Sequence, residues 1–95
     1  MGVEKTREFR NWINGLDDLK GKARIHVRTD RLAHGNPGDH RSVGCGVQEL
    51  RIDVGPGYRV YYLPPGDRLV ILLAGGDKSS QPRDIRLALE RASCV

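Results

Sequence analysis

A chain of 95 residues has room for one modest hydrophobic core and not for two. Hydrophobic residues make up 38% of it and aromatic residues 5%, so that core is expected to be thin and mostly aliphatic. Lys and Arg number 16 against 12 Asp and Glu, a net charge of +4, and 12 of the 16 cations are arginine. Arginine grips phosphate or carboxylate with planar geometry, but a high-GC genome would enrich it too, and composition leaves both readings open.

Several classes are set aside at once. Cys45 and Cys94 lack C-x-x-C spacing, and no HExxH or Cys/His cluster is present, so no metal or cofactor is expected. The first residues are charged from Glu4 onward, with no apolar leader segment, and no run approaches the ~18–20 apolar residues of a spanning helix. A reduced cytoplasmic protein with no membrane contact is the expectation, organised as a single domain over residues 1–95.

In chain order, Thr6 can cap a short helix in which Phe9, Trp12, Ile13 and Leu16 share one face. Gly15 breaks it and Asp17 can cap a second, running to about His34 and stopped by Gly35-Asn36-Pro37-Gly38. Leu19, Ala23 and Val27 form one apolar stripe on that helix, with Ile25 and Leu32 well round from it. His26 and His34 read as surface or capping residues, and Trp12 as core. The period then changes. His40-Arg41-Ser42-Val43 reads as a short edge strand, followed by strands over Val47–Val54, Tyr58–Leu63 and Leu69–Ala74. The continuous apolar run of the last predicts a central strand, ended by Gly75-Gly76. A final helix begins at Ser80 or Gln81, with Ile85, Ala88, Leu89 and Ala92 on one face. The expected fold class is α+β: two N-terminal helices packed on a twisted antiparallel sheet of three or four strands, with a C-terminal helix.

The hairpin ELRIDVGPGYRVYY admits more than one register. A three-residue loop, Gly55 to Gly57, keeps Leu50, Ile52 and Val54 on the same face as Tyr58, Val60 and Tyr62, and a one-residue slip would destroy that. The other face then carries Glu49, Arg51, Asp53, Arg59 and Tyr61, with Arg59 expected opposite Asp53 and Arg51 opposite Tyr61. That face reads either as an ordinary solvated surface or as a cationic platform. The Gly-rich turn from Gly75 to Gln81 sets Lys78, Ser79, Ser80 and Gln81 at a helix start, a combination suited to phosphate. Arg51, Arg59 and Lys78 are therefore expected to converge. Arg24, Arg28 and Arg31 lie along one side of the long helix, either as a solvated face or as a grip on RNA phosphates.

The segments FRNWINGLDDLKGKARI, GNPGDHRSVGCGVQELRIDVGPGYRVYY and LLAGGDKSSQPRDIRLA, spread over roughly residues 6–92, resemble the phage-derived, HigB-type branch of the RelE/ParE toxin superfamily, the addiction module killer proteins. The resemblance implies a toxin of a type II toxin–antitoxin system, neutralised by a cognate protein antitoxin of helix-turn-helix type. RelE-type members cleave mRNA on the ribosome and ParE-type members inhibit DNA gyrase. The HigB-type branch is similar to the first, which implies a metal-independent endoribonuclease whose partners are the ribosome and mRNA. By the same resemblance Arg59 matches the cation at the scissile phosphate, Lys78 a second basic position, and Arg51 a basic strand residue. The chain departs from the pattern in having no Tyr or His after Tyr62. That leaves proton transfer to Tyr61, Lys78 or His40, or a larger share of it to ribosomal RNA, and leaves another target, gyrase, as the alternative. The expected catalytic set is thus Arg59, Lys78, Arg51 and Tyr61, and the expected RNA-binding set is Arg24, Arg28, Arg31, His40, Ser79 and Gln81.

Overall fold

Capping chemistry sets the helix starts. Thr6 caps α1 (Arg7–Asn14) by accepting the Phe9 amide at 3.1 Å, and its hydroxyl donates to the Leu73 carbonyl at 2.7 Å, tying helix to sheet. α2 (Leu19–Ala33) is capped one residue later than expected, by Asp18, which accepts from the Gly21 amide at 3.1 Å. α3 (Gln81–Ala92) follows a 3-10 turn, Lys78–Ser80, whose cap is Asp77. The computed structural model describes residues 2–64 and 69–94; Pro64-Pro65-Gly66-Asp67 reads as a turn in the sequence, and all of it after Pro64 lies outside the described residues.

The fold class is α+β, but the sheet is larger than expected and mixed. β1 (Gly2–Lys5), β2 (His40–Gly44), β3 (Val47–Ile52), β4 (Tyr58–Leu63) and β5 (Leu69–Asp77) lie in the order β1-β5-β4-β3-β2. The strand missed by the sequence is β1, which runs parallel to β5 at the sheet edge. All four of its residues are exposed, so it carries no apolar alternation to announce it. The remaining neighbours are antiparallel, and the central strand is β4 rather than the apolar run in β5.

The three inner strands, β3, β4 and β5, are clad on both faces. Phe9 and Ile13 of α1 and Ile25 and Leu32 of α2 pack on Leu50, Ile52, Tyr58, Val60, Tyr62, Val70 and Leu72. On the opposite face Ala88 of α3 packs on Val47, Tyr61, Leu73 and Ala74, with Ile85, Leu89 and Ala92 alongside. A bulge in β5 turns two consecutive residues, Leu73 and Ala74, to the α3 side: Tyr61 pairs with Ala74 and Tyr62 with Leu72, leaving Leu73 as the extra residue. Thr6 closes this irregularity, since its amide donates to the Leu72 carbonyl at 3.0 Å and its hydroxyl to that of Leu73. Among the described residues no helix is long and apolar enough to cross a membrane.

Gly75 and Gly76 do not end β5; they pair with Val60 and Arg59. Their glycine identity answers to packing. A Cβ on Gly75 would overlap the Trp12 ring, and one on Gly76 the Asp84 carboxylate. The expected hairpin faces are right and the expected partners are not. Ile52 pairs with Tyr58 and Arg51 with Arg59, two residues away from the predicted register, across a loop of residues 53–57. Within that loop the Gly57 amide donates to the Val54 carbonyl at 3.1 Å, and Gly55 and Gly57 take φ of 56° and 82°. A slip of two preserves every side chain's face, so the apolar pattern is silent about it.

The Gly75 contact is directly testable. Gly75→Ala drives a methyl into the Trp12 ring and is expected to cost about 1–3 kcal/mol, or roughly 4–8 °C of melting temperature per kcal/mol for a domain of this size. Circular dichroism melts measure it, and an unchanged midpoint would mean that α1 does not seat on β5 as described.

Candidate functional site

The face of the sheet toward α3 was expected to be solvated or to form an open platform, and most of it is covered. Glu49 is 0% exposed and Arg59 6% exposed. The Glu49 carboxylate accepts from Arg41 Nε at 2.7 Å and from Gln81 Nε2 at 2.7 Å, so an edge strand and the first turn of α3 share one anion. Burial alone would push its pKa up; the hydrogen bonds from Arg41 and then Gln81 outweigh that and hold it below the ordinary glutamate value. Tyr61 lies directly across from Glu49, fully buried, its hydroxyl lacking a partner of hydrogen-bonding geometry. Burial first, and the neighbouring Glu49 charge second, push the phenol well above its ordinary range.

These positions revise the expected site. Tyr61 was a candidate for proton transfer or base stacking; strand alternation places it beneath α3, out of reach of a bound nucleic acid. Gln81 holds Glu49 instead of facing outward. Ser79 is engaged by Asp77, which accepts from both its amide and its hydroxyl. Arg28 is a clamp: its guanidinium donates to the carbonyls of Arg51 at 2.8 Å, Pro37 at 3.0 Å and Asp39 at 3.2 Å. Arg24 and Arg31 are exposed on α2, which packs on the other face of the sheet. His40 is exposed on β2, with Nδ1 2.7 Å from the Gly38 carbonyl, and lines a separate groove with Leu32, Gln48 and Tyr62.

Arg51 and Arg59 come together on the sheet, and Lys78 lies on the turn after β5 at the hairpin end. Arg51 and Arg59 stand directly opposite each other on β3 and β4. Arg51 is half-exposed and bound to Asp39, with Nη2 to Oδ1 at 2.8 Å and Nε to Oδ1 at 3.2 Å. Arg59 donates from Nη1 to the Tyr58 carbonyl at 3.0 Å, while its buried Nε has no hydrogen-bond partner among the described residues. Among those residues no carboxylate lies within ion-pair distance of it either, although Asp84, itself buried, sits over the Gly76 that pairs with Arg59. Lys78 is exposed; its amide donates to the Gly57 carbonyl at 3.0 Å and its aliphatic stem lies across Gly57. Together with residues Asp53 to Gly57 it lines an open groove of about 370 Å³.

Sequence reading missed Asp39 and Asp84 and gave Glu49 no role, although these carboxylates organise this end of the molecule. Glu49 shares a face with Arg51 by simple alternation, a signal that was legible. Asp39 carries none, because its partner Arg51 is distant in the chain, and Asp84, which accepts from Ser80 one turn earlier, gives no sign in the sequence that it lies over Gly76.

The Glu49 network has a pH signature. A folded-state pKa held below the unfolded value contributes stability that is complete above the unfolded value, about 4.3 for Glu, and lost as pH falls through the folded one. Glu49→Gln is expected to lower stability at pH 7 by about 1–3 kcal/mol, with the gap to wild type closing below about pH 4. Thermal melts across that range measure it, and a gap that stays constant with pH would remove Glu49 from the account.

No family model matches the chain. A Haemophilus influenzae protein described as uncharacterized is 50% identical to it over 86 residues, which cover 90% of this chain and 87% of that one. With half of its residues shared along nearly the full length of both, the chain belongs to the same family as that Haemophilus protein.

Proposed function

We propose that this protein is the toxin of a type II toxin–antitoxin pair, with a RelE-like single domain that cleaves mRNA on the ribosome without a metal ion. The observation that carries the reading is the facing pair Arg51 and Arg59, the latter buried without a carboxylate partner among the described residues. Like charges directly opposite each other on a ladder oppose folding. A desolvated cation without a counter-ion opposes it further. An anion set between the two guanidiniums relieves both, and the planar donor fork of arginine matches phosphate. Lys78 on the adjoining turn adds a third cation beside an open groove.

In the proposed reaction the 2′-oxygen attacks the neighbouring phosphorus and the bond to the 5′-oxygen breaks, leaving a 2′,3′-cyclic phosphate and a 5′-hydroxyl. Negative charge grows on the non-bridging oxygens, where Arg59 and Arg51 act. Lys78 is the group of this chain placed to exchange protons at the groove, and ribosomal RNA supplies the second transfer. The partners on this reading are the ribosome with its mRNA and a cognate antitoxin of helix-turn-helix type, in the cytoplasm.

One observation favours a second reading, a ParE-type toxin that inhibits gyrase and cleaves nothing. Tyr61 is sealed in the core, and among the described residues no other Tyr or His shares the face of Arg51 and Arg59.

Primer extension on a defined mRNA in purified translating ribosomes separates the two. Wild type is expected to produce new ends in the ribosomal A site, and Arg59→Met to lose them by at least about 100-fold. Because the substitution replaces an unpaired buried charge with an apolar chain of similar length, its melting temperature is expected to equal or exceed that of wild type. Growth arrest without cleavage, accompanied by inhibition of supercoiling, would transfer the assignment to gyrase. A collapse in stability of Arg59→Met would make Arg59 a structural residue.

A further inference from the structure

The apolar stripe Leu19, Ala23, Val27 on α2 lies outside the core and stays largely open to solvent. The helix turns Gly21, Ile25, Thr29 and Leu32 inward, while Leu19 is 79% and Val27 45% exposed. Two grooves flank Val27. One, of about 490 Å³, is lined by Lys20, Ala23, Arg24, Val27 and Val54; the other, of about 480 Å³, by Val3, Lys5, His26, Val27, Thr29 and Asp30. Val3, on β1, adds a further exposed apolar side chain at 38%. Cations outnumber anions along the rims: Lys20 and Arg24 on one side and Lys5 on the other, against the single lining carboxylate of Asp30.

We propose that this outer face of α2 docks an amphipathic helix of a partner protein, with Asp and Glu flanking an apolar ridge. Charge complementarity selects the occupant. A ridge seated along Leu19, Ala23 and Val27 removes apolar surface from water, and acidic flanks meet the rims on both sides. A second copy of this chain would bring two such cationic rims together. RNA would meet the cations, but Leu19, Ala23 and Val27 offer a base no aromatic surface for stacking. A partner helix as long as α2 has about 15 residues and spans roughly 22 Å. Arg28, bound to three carbonyls, and the Asp18 cap hold the receiving helix rigid at both ends. The inference stands apart from any RNA cleavage; on the toxin reading, the partner is the antitoxin.

A random library of displayed peptides, each about 16 residues long so as to span α2, tests this against the full chain. The enriched peptides are expected to combine Leu or Ile at helical i, i+3, i+4, i+7 spacing with an excess of Asp and Glu. The best of them should protect residues 19–31 from hydrogen exchange and lose at least about tenfold in affinity on Val27→Ser. Lys20→Glu together with Arg24→Glu should weaken it similarly, more at low salt than at high. Both sites are exposed, so unchanged melting temperatures certify that the variants fold. Absence of enrichment, enrichment of basic or neutral peptides, or protection confined to another surface would overturn the proposal. So would a wild-type dimer in sedimentation that Val27→Ser dissociates, or protection of residues 19–31 by an RNA oligonucleotide in the peptide's place.

Discussion

The two helical layers meet the sheet at adjacent residues of one strand. The Trp12 ring closes over Gly75 from one face, and the Asp84 carboxylate with the Ser80 hydroxyl closes over Gly76 from the other. No residue with a side chain satisfies both contacts at that depth. Much follows from this seat. It lets β5 continue past the apolar run and stay paired with Val60 and Arg59. It also brings the start of α3 down onto the sheet, where Gln81 reaches Glu49 and the surrounding surface is lost to solvent. The bulge at Leu73 prepares the approach, sending two consecutive apolar residues, Leu73 and Ala74, to the α3 side.

Two charges end up beneath that cover in opposite circumstances. Glu49 is neutralised by an arginine from the edge strand and an amide from α3, elements that meet only in the folded chain. A buried carboxylate so satisfied ties its donors together and specifies one arrangement of them. Arg59 has a backbone carbonyl and no anion among the described residues, and its cross-strand neighbour is another arginine. The same helix therefore completes one electrostatic pairing and leaves another open. Stability alone would favour replacing Arg59 by an apolar residue, since a desolvated lone cation is a cost that packing does not repay. Residues that the fold tolerates at a cost are where function is to be sought.

How much of this was legible in the sequence depends on what each signal encodes. Thr6 and the spacing of Phe9, Trp12 and Ile13 define α1 because capping and helical periodicity are local. The limits of β4 were legible for the same reason, between a glycine loop and a proline. Alternation along the hairpin gave the face of every residue but not its partner, since period two repeats after a slip of two. That is why Arg51 and Arg59 were placed on one side correctly while their direct opposition was not foreseen. β1 has no apolar residue directed at a core, and Gly75-Gly76 reads as a breaker unless the incoming Trp12 and Asp84 are known. Tyr61 shows the same limit at the site: alternation assigns it to the arginine face, and only the position of α3 reveals that the face is closed there.

α2 carries the lesson further, because the stripe that seats it is not the first that its sequence offers. Its inward side combines apolar residues with small and polar groups. Gly21 gives room to the Tyr58 ring, whose hydroxyl donates to Asp18 at 2.7 Å, and Arg28 fastens the loop before β2 to the end of β3. The burial of Ile25 and Leu32 supplies the apolar contact of this helix with the main core. Leu19, Ala23 and Val27 lie outside both buried clusters of the core. Hydrophobic periodicity measures where apolar surface lies on a helix, and a second apolar stripe on a helix already seated by its first describes an interface. On a chain of net charge +4, with cations along both sides of that stripe, the complementary surface is apolar at its centre and acidic at its edges.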